Sequence, residues 1–156
     1  MKVLIIFYSR NGVTKKIAEE LGKITSWEVE EIFDIKNRSG AIGYLSAGRE
    51  AMKKKLTEIK PIEKDLTEYD LIIVGTPIWA WTVSVPVRTF LENYKKDFKR
   101  LAFFCTMGGN GAEGAFVEMA KISGLKPIAT LSLLTKEVTQ NNFVEKLKQF
   151  VTEIGE

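Results

Sequence analysis

Short apolar blocks that close on turn residues, separated by stretches of helical periodicity, constrain this chain more than any other feature. Val3–Phe7 is apolar throughout and runs into Ser9-Arg10-Asn11-Gly12. A second block, 71–74, ends at Gly75-Thr76-Pro77, and a third, 101–104, is soon followed by Thr106-Met107-Gly108-Gly109. A fourth spans 127–134. Segment 27–35 alternates instead, with Trp27, Val29, Glu31 and Phe33 on one side and Glu28, Glu30 and Ile32 on the other. Blocks this short, bounded by turn residues, suit strands buried on both faces of a parallel sheet. Between them, 14–23 places Ile17, Ala18 and Leu21 at helical spacing, and 83–94, 112–121 and 142–154 repeat the pattern. The alternation predicts an α/β fold with right-handed crossovers. Segment 37–60 is extra to that plan. Ile42, Leu45, Ala51, Met52 and Leu56 allow a helix there, weakened by Gly40, Gly43 and Gly48, and the rest is expected to be irregular and mobile.

At 156 residues the chain has the length of one domain. Histidine is absent and Cys105 is the only cysteine. Those counts exclude an internal disulfide, a cysteine-rich zinc site, Ser-His-Asp and Cys-His nucleophile systems and imidazole proton transfer. Chemistry here must use carboxylates, Lys or Tyr, or come from a cofactor. The net charge of +3 is mild and spread along the chain, which argues against a nucleic-acid footprint. No apolar run is long enough for a membrane helix. The apolar start is too short for a signal peptide, so a cytoplasmic location without membrane insertion is expected.

In an open parallel sheet, ligands bind beyond the carboxyl ends of the strands. Three loops lie there. Ser9, Arg10, Asn11, Gly12, Val13 and Thr14 follow a strand and open a helix. Their hydroxyls, amide and glycine suit anion binding at a helix N-terminus. They suit equally a polar turn with Thr14 as helix cap. Thr76, Pro77, Ile78, Trp79, Ala80 and Trp81 form the second loop. Its indoles can stack on a planar ring, close the core or meet a partner. Thr106, Met107, Gly108, Gly109 and Asn110 form the third. There the backbone can grip the polar edge of a heterocycle, or simply make a flexible turn. Cys105 reads as a small apolar residue at a strand end.

These residues carry a resemblance. Tyr8-Ser9-Arg10-Asn11-Gly12-Val13-Thr14, Val74-Gly75-Thr76-Pro77-Ile78-Trp79 and Phe104-Cys105-Thr106-Met107-Gly108-Gly109 resemble the flavodoxin-like family of FMN proteins, short-chain flavodoxins in particular. The likeness covers nearly the whole chain. It implies a three-layer sandwich around a five-stranded parallel sheet in the order 2-1-3-4-5. It also implies FMN as cofactor, its phosphate in the first loop and its ring between the second and third. Trp79 would pack on one flavin face, and backbone from Thr106 to Asn110 would meet the pyrimidine edge. Three departures stand out. Asn11 replaces the family's usual threonine. Arg10 adds a cation to the phosphate loop. The third loop lacks the tyrosine that commonly stacks on the outer flavin face, so either Trp81 supplies that contact or the face is open.

The resemblance implies an electron carrier between redox partner proteins, as a monomer or weak dimer, with no side chain acting as acid or base. The alternative is an NAD(P)H-dependent quinone or flavin reductase of the same fold, favoured by an open flavin face and the extra segment 37–60. A receiver-like signalling domain is excluded by Ser9-Arg10 where acidic residues would stand, and a small tyrosine phosphatase by the position of Cys105.

Overall fold

The computed structural model describes residues 1–155. In chain order its elements are β1 (Val3–Phe7), α1 (Val13–Thr25), β2 (Glu28–Glu31), α2 (Gly40–Met52), β3 (Leu71–Trp79), β4 (Thr82–Val83), α3 (Val85–Tyr94), β5 (Leu101–Met107), α4 (Ala112–Ser123), β6 (Thr130–Leu134), α5 (Thr135–Thr139) and α6 (Val144–Ile154). Five strands pair in parallel in the order β2-β1-β3-β5-β6, and β4 pairs only with β3, antiparallel. Leaving out the short β4, this is the expected 2-1-3-4-5 order.

Alternate residues of the central strands feed two cores. Ile5, Ile73, Ala102 and Phe104 face α1 and α6, meeting Ile17, Leu21, Leu147 and Phe150. Leu4, Ile72, Val74 and Phe103 face the other way, against Val87, Phe90, Met119 and Ala47 of α3, α4 and α2. The result is a three-layer sandwich. Gly75 belongs to this packing: a side chain there would lie 2.1 Å from the Phe104 ring on the paired strand.

Among the elements that differ from expectation are β2 and α2. β2 is shorter than 27–35, because the chain leaves β1 and folds on itself. Ile35 N–H donates to Glu58 O at 3.0 Å and Lys60 N–H to Phe33 O at 2.9 Å, around an Asp34↔Ile59 bridge. Segment 37–60 is thus an excursion closed at its base. Within it α2 forms despite its glycines, with Gly43, Ala47 and Ala51 on the buried face. Of the apolar residues expected to build that helix, only Ala51 is buried; Ile42, Leu45, Met52 and Leu56 are exposed.

Candidate functional site

β1 stops pairing with β3 at Phe7↔Gly75, whereas β3 runs on beside β5 to Pro77↔Thr106. The chain ends of β1, β3 and β5 therefore open a cleft. It is lined from the first loop by Arg10, Asn11 and Val13, from the second by Pro77, Ile78 and Trp79, and from the third by Thr106, Met107 and Gly108. Its volume is about 190 Å³. The three sequence-marked loops thus meet at one place.

The first loop is shaped by Ser9 and Gly12. Gly12 N–H donates to Ser9 Oγ at 3.0 Å, and Gly12 caps α1 with φ 93°, a conformation that favours glycine. Thr14 is not the cap. It sits in the first helical turn, where its hydroxyl meets that of Thr106 at 2.8 Å in a buried bond joining the first and third loops. No side chain caps α1 and its first turn holds no acidic residue. The amides of Val13, Thr14 and Lys15 have no intrahelical acceptor, so this helix end is a set of donors with a partial positive charge. Arg10 stands beside it, its guanidinium 5.2 Å from the centre of the Tyr44 ring.

The second loop is largely strand. β3 continues through Trp79, and a two-residue turn, Ala80-Trp81, leads into β4. Both turn residues have positive φ, 48° and 64°, as a two-residue hairpin of the I′ type requires. Asn-Gly is the ordinary choice there; a non-glycine residue held in this region costs roughly 1–3 kcal/mol. Gly111 makes room for the turn, since a side chain on it would come within 2.8 Å of Trp81 Cα. Thr76 points into the fold: its Oγ1 accepts from Ser84 N–H at 3.1 Å and donates to Pro77 O at 2.8 Å.

The two indoles have separate fates. Trp79 is 7% exposed, edge-to-face with Tyr8 at 5.5 Å, and the Arg38 guanidinium lies 5.3 Å from its ring centre. Trp81 is 67% exposed. It does not line the three-loop cleft but a second cavity of about 540 Å³, with Ala80, Ile78 and Trp79 and with Tyr44, Leu45, Gly48, Arg49 and Met52 of α2. The two cavities share Tyr44, Ile78 and Trp79.

Arg38 fixes the base of α2 against Trp79. Its Nε pairs with Asp34 and its Nη1 lies 2.8 Å from Glu50 Oε2. Burial works to raise the Glu50 pKa, but hydrogen bonds from Lys36 and Arg38 outweigh it and bring the carboxyl to about 2. Burial pushes the Tyr8 hydroxyl up to about 12, helped by the Asp34 charge. It pushes the Cys105 thiol to about 12 as well, so Cys105 is a buried packing residue with its proton in place.

Two cleft residues escaped the sequence reading. Tyr44 comes from the extra helix and reaches both cavities. Thr135 lines the cleft from the start of α5, donating from Oγ1 to Met107 O at 3.2 Å. Gly109 and Asn110, marked in sequence, are exposed and stand at the rim. Nothing would touch a side chain added at Gly108 or Gly109, so the backbone there is open to a ligand edge.

A family model described as flavodoxin matches residues 2–151. No curated protein matches in sequence. The chain is similar to a flavoprotein from Lactobacillus acidophilus solved in complex with FMN, with 26% identity and a TM-score of 0.74 over 94% of this chain and 98% of that one. It shares its fold with oxidised flavodoxin 1 from Bacillus cereus, at 19% identity and a TM-score of 0.57 over 98% and 96%. A flavone reductase also has this fold, at 13% identity and a TM-score of 0.52, over 96% of this chain and 59% of that one. Among the described residues no helix is long and apolar enough to cross a membrane.

Proposed function

Because the chain belongs to the flavodoxin family, we propose that it holds FMN across the three-loop cleft and passes electrons between redox partner proteins. The observation that carries this reading is the N-terminus of α1, which has neither a side-chain cap nor an acidic residue in its first turn and is joined in one cleft with Ile78, Trp79, Met107 and Gly108. The donor set fits the cofactor. The amides of α1 and the Asn11 side chain suit a phosphate, and Arg10 supplies a compensating cation. Ser9 Oγ accepts from Gly12, which leaves its own proton free to donate. The apolar wall suits a flat ring, and the open backbone at Gly108 and Gly109 suits its polar edge. The FMN complex of the similar Lactobacillus flavoprotein supports the same cofactor here.

FMN supplies a redox centre with its own protonation sites, which fits a chain without histidine. The protein's part is grip, shape and field. With a net charge of +3, it disfavours a negatively charged reduced ring less than an acidic protein would. The low-potential step is therefore expected above that of acidic flavodoxins, and a spectroelectrochemical titration checks it.

The FMN-free protein titrated with FMN at micromolar concentration should quench the added flavin's fluorescence and keep its yellow colour after free flavin is removed by gel filtration. Absence of binding overturns the reading. The 540 Å³ cavity beside the cleft favours a second reading, a reductase that uses NAD(P)H directly. Rapid NAD(P)H oxidation with a quinone supports the reductase; reduction only through a separate reductase protein supports the carrier.

A further inference from the structure

α2 is built inside out. Its small residues Gly43, Ala47 and Ala51 face the core, while Tyr44, Leu45 and Met52 line a groove with the Ala80-Trp81 turn opposite. At about 540 Å³ the groove lies within the range of small-molecule sites, roughly 300–1,000 Å³. Two further features show what would fill it. Trp81 is presented by a hairpin turn that takes two non-glycine residues into the left-handed region, with Gly111 clearing space beneath. Such strain, where a local rule is broken without gain to the core, marks a functional position. Arg49 is the second feature. It lines the groove and makes no ion pair among the described residues, and the exposed Lys53 and Lys55 stand in the adjoining depression. The groove thus has aromatic and aliphatic walls and a free cation at one end.

We infer that this groove binds a planar aromatic anion, its ring against Trp81 and the apolar face of α2, its acidic group paired with Arg49. The chemistry favours a small flat acid over an apolar peptide, because a peptide's apolar side chains would leave the guanidinium unused. The site adjoins the three-loop cleft through Tyr44, Ile78 and Trp79, so its occupant would lie next to whatever the cleft holds. The inference concerns the chain's own residues and stands whether or not FMN is the cofactor.

The test uses 2-naphthoate and its uncharged isostere 2-naphthamide as probes, with calorimetry and tryptophan quenching as readouts, on the FMN-free protein and on protein saturated with FMN. Expected is 2-naphthoate binding at least tenfold tighter than 2-naphthamide in both forms. Trp81→Ala should weaken both probes at least tenfold. Arg49→Gln should bring 2-naphthoate down to the 2-naphthamide level and leave 2-naphthamide unchanged. Lys53→Gln, on the neighbouring depression, should change neither by more than twofold. Circular dichroism confirms that each variant is folded. Equal affinity for the two probes, or no effect of Trp81→Ala, overturns the proposal. Release of 2-naphthoate by FMN assigns the groove to the cofactor and overturns it as well. A dimer in sedimentation that Trp81→Ala dissociates gives the groove to a second copy, with the same consequence. If FMN fails to bind anywhere, the probe titrations on the free protein still decide the question.

Discussion

α6 and α2 are both helices packed against the sheet, and the protein uses them in opposite ways. α6 turns Leu147, Phe150 and Ile154 into the core and leaves charged residues outside. α2 turns Gly43, Ala47 and Ala51 inward and leaves Ile42, Tyr44, Leu45 and Met52 outside. Apolar burial holds the first. Close backbone approach holds the second, since a side chain at Gly43 would lie 2.3 Å from the Arg38 carbonyl carbon. The Asp34–Arg38–Glu50 cluster adds to it. A helix anchored by its small residues and by buried charge keeps its large side chains for contacts outside the core. α2, and not α6, borders the site.

If this division is right, Phe150→Ala gives the largest loss of stability, about 3–5 kcal/mol, because the cavity lies deep in the α1/α6 layer. The urea midpoint should drop at unchanged slope. A loss under about 1 kcal/mol would mean that burial is not what holds α6.

Acid should act on α2 next. The Glu50 carboxyl sits at about 2 in the folded protein, below the ordinary value of 4.5. A group lowered on folding stabilises fully above its ordinary value, and that contribution fades as pH falls from about 4.5 toward 2. The amount is a few kcal/mol at most. Glu118 is also lowered, chiefly by Arg88, and Glu137 by Lys146, so the acid limb is shared. Glu50→Gln should shrink the stability loss across this window without removing it, while Phe150→Ala leaves its size unchanged. Denaturation midpoints from pH 6 to pH 2 measure this, where the range is set by about two units either side of the carboxylate values. An identical limb in Glu50→Gln would mean that the cluster contributes nothing.

The glycines of α2 separate backbone approach from helix propensity. Gly43→Ala gains propensity, about 1 kcal/mol, but must displace the Arg38 backbone, so a net loss of about 1–2 kcal/mol is expected. Gly48 has nothing within 4 Å of an added side chain. Gly48→Ala should therefore stabilise by about 0.5–1 kcal/mol. Thermal melts of the pair would contradict the account if both changes had the same sign.

The parallel strands were legible because blocks such as Val3–Phe7 are apolar at every position, which a strand buried on both faces demands. The first loop was legible because a helix N-terminus announces itself through glycine and hydroxyl residues. α2 was not. Hydrophobic spacing weights large residues, and here glycine and alanine form the buried face. The extension of β3 was missed for a related reason: its hairpin turn is Ala-Trp, without the Asn-Gly signal, and Gly111, far along the chain, makes it possible. Tyr44 and Thr135 reach the cleft only through tertiary packing, so no local pattern marks them. Thr76 reads in sequence as part of the second candidate loop, but its hydroxyl is taken up by Ser84.

The smallest effect belongs to the outer face of α2. Ile42 is 85% exposed and Leu45 68%. A side chain in water both before and after folding adds almost nothing to the folding free energy. Ile42→Ser and Leu45→Ser, singly or together, should stay within about 0.5 kcal/mol of the parent in urea denaturation. The same substitutions in α6, at Leu147 or Phe150, should cost several kcal/mol. The measurement is made at two protein concentrations tenfold apart. A loss above about 1.5 kcal/mol that grows with concentration would show that these side chains are covered by another molecule in solution, since association stabilises by mass action. A concentration-independent loss of that size would mean that they are buried within the chain after all, and the contrast between α2 and α6 would fall.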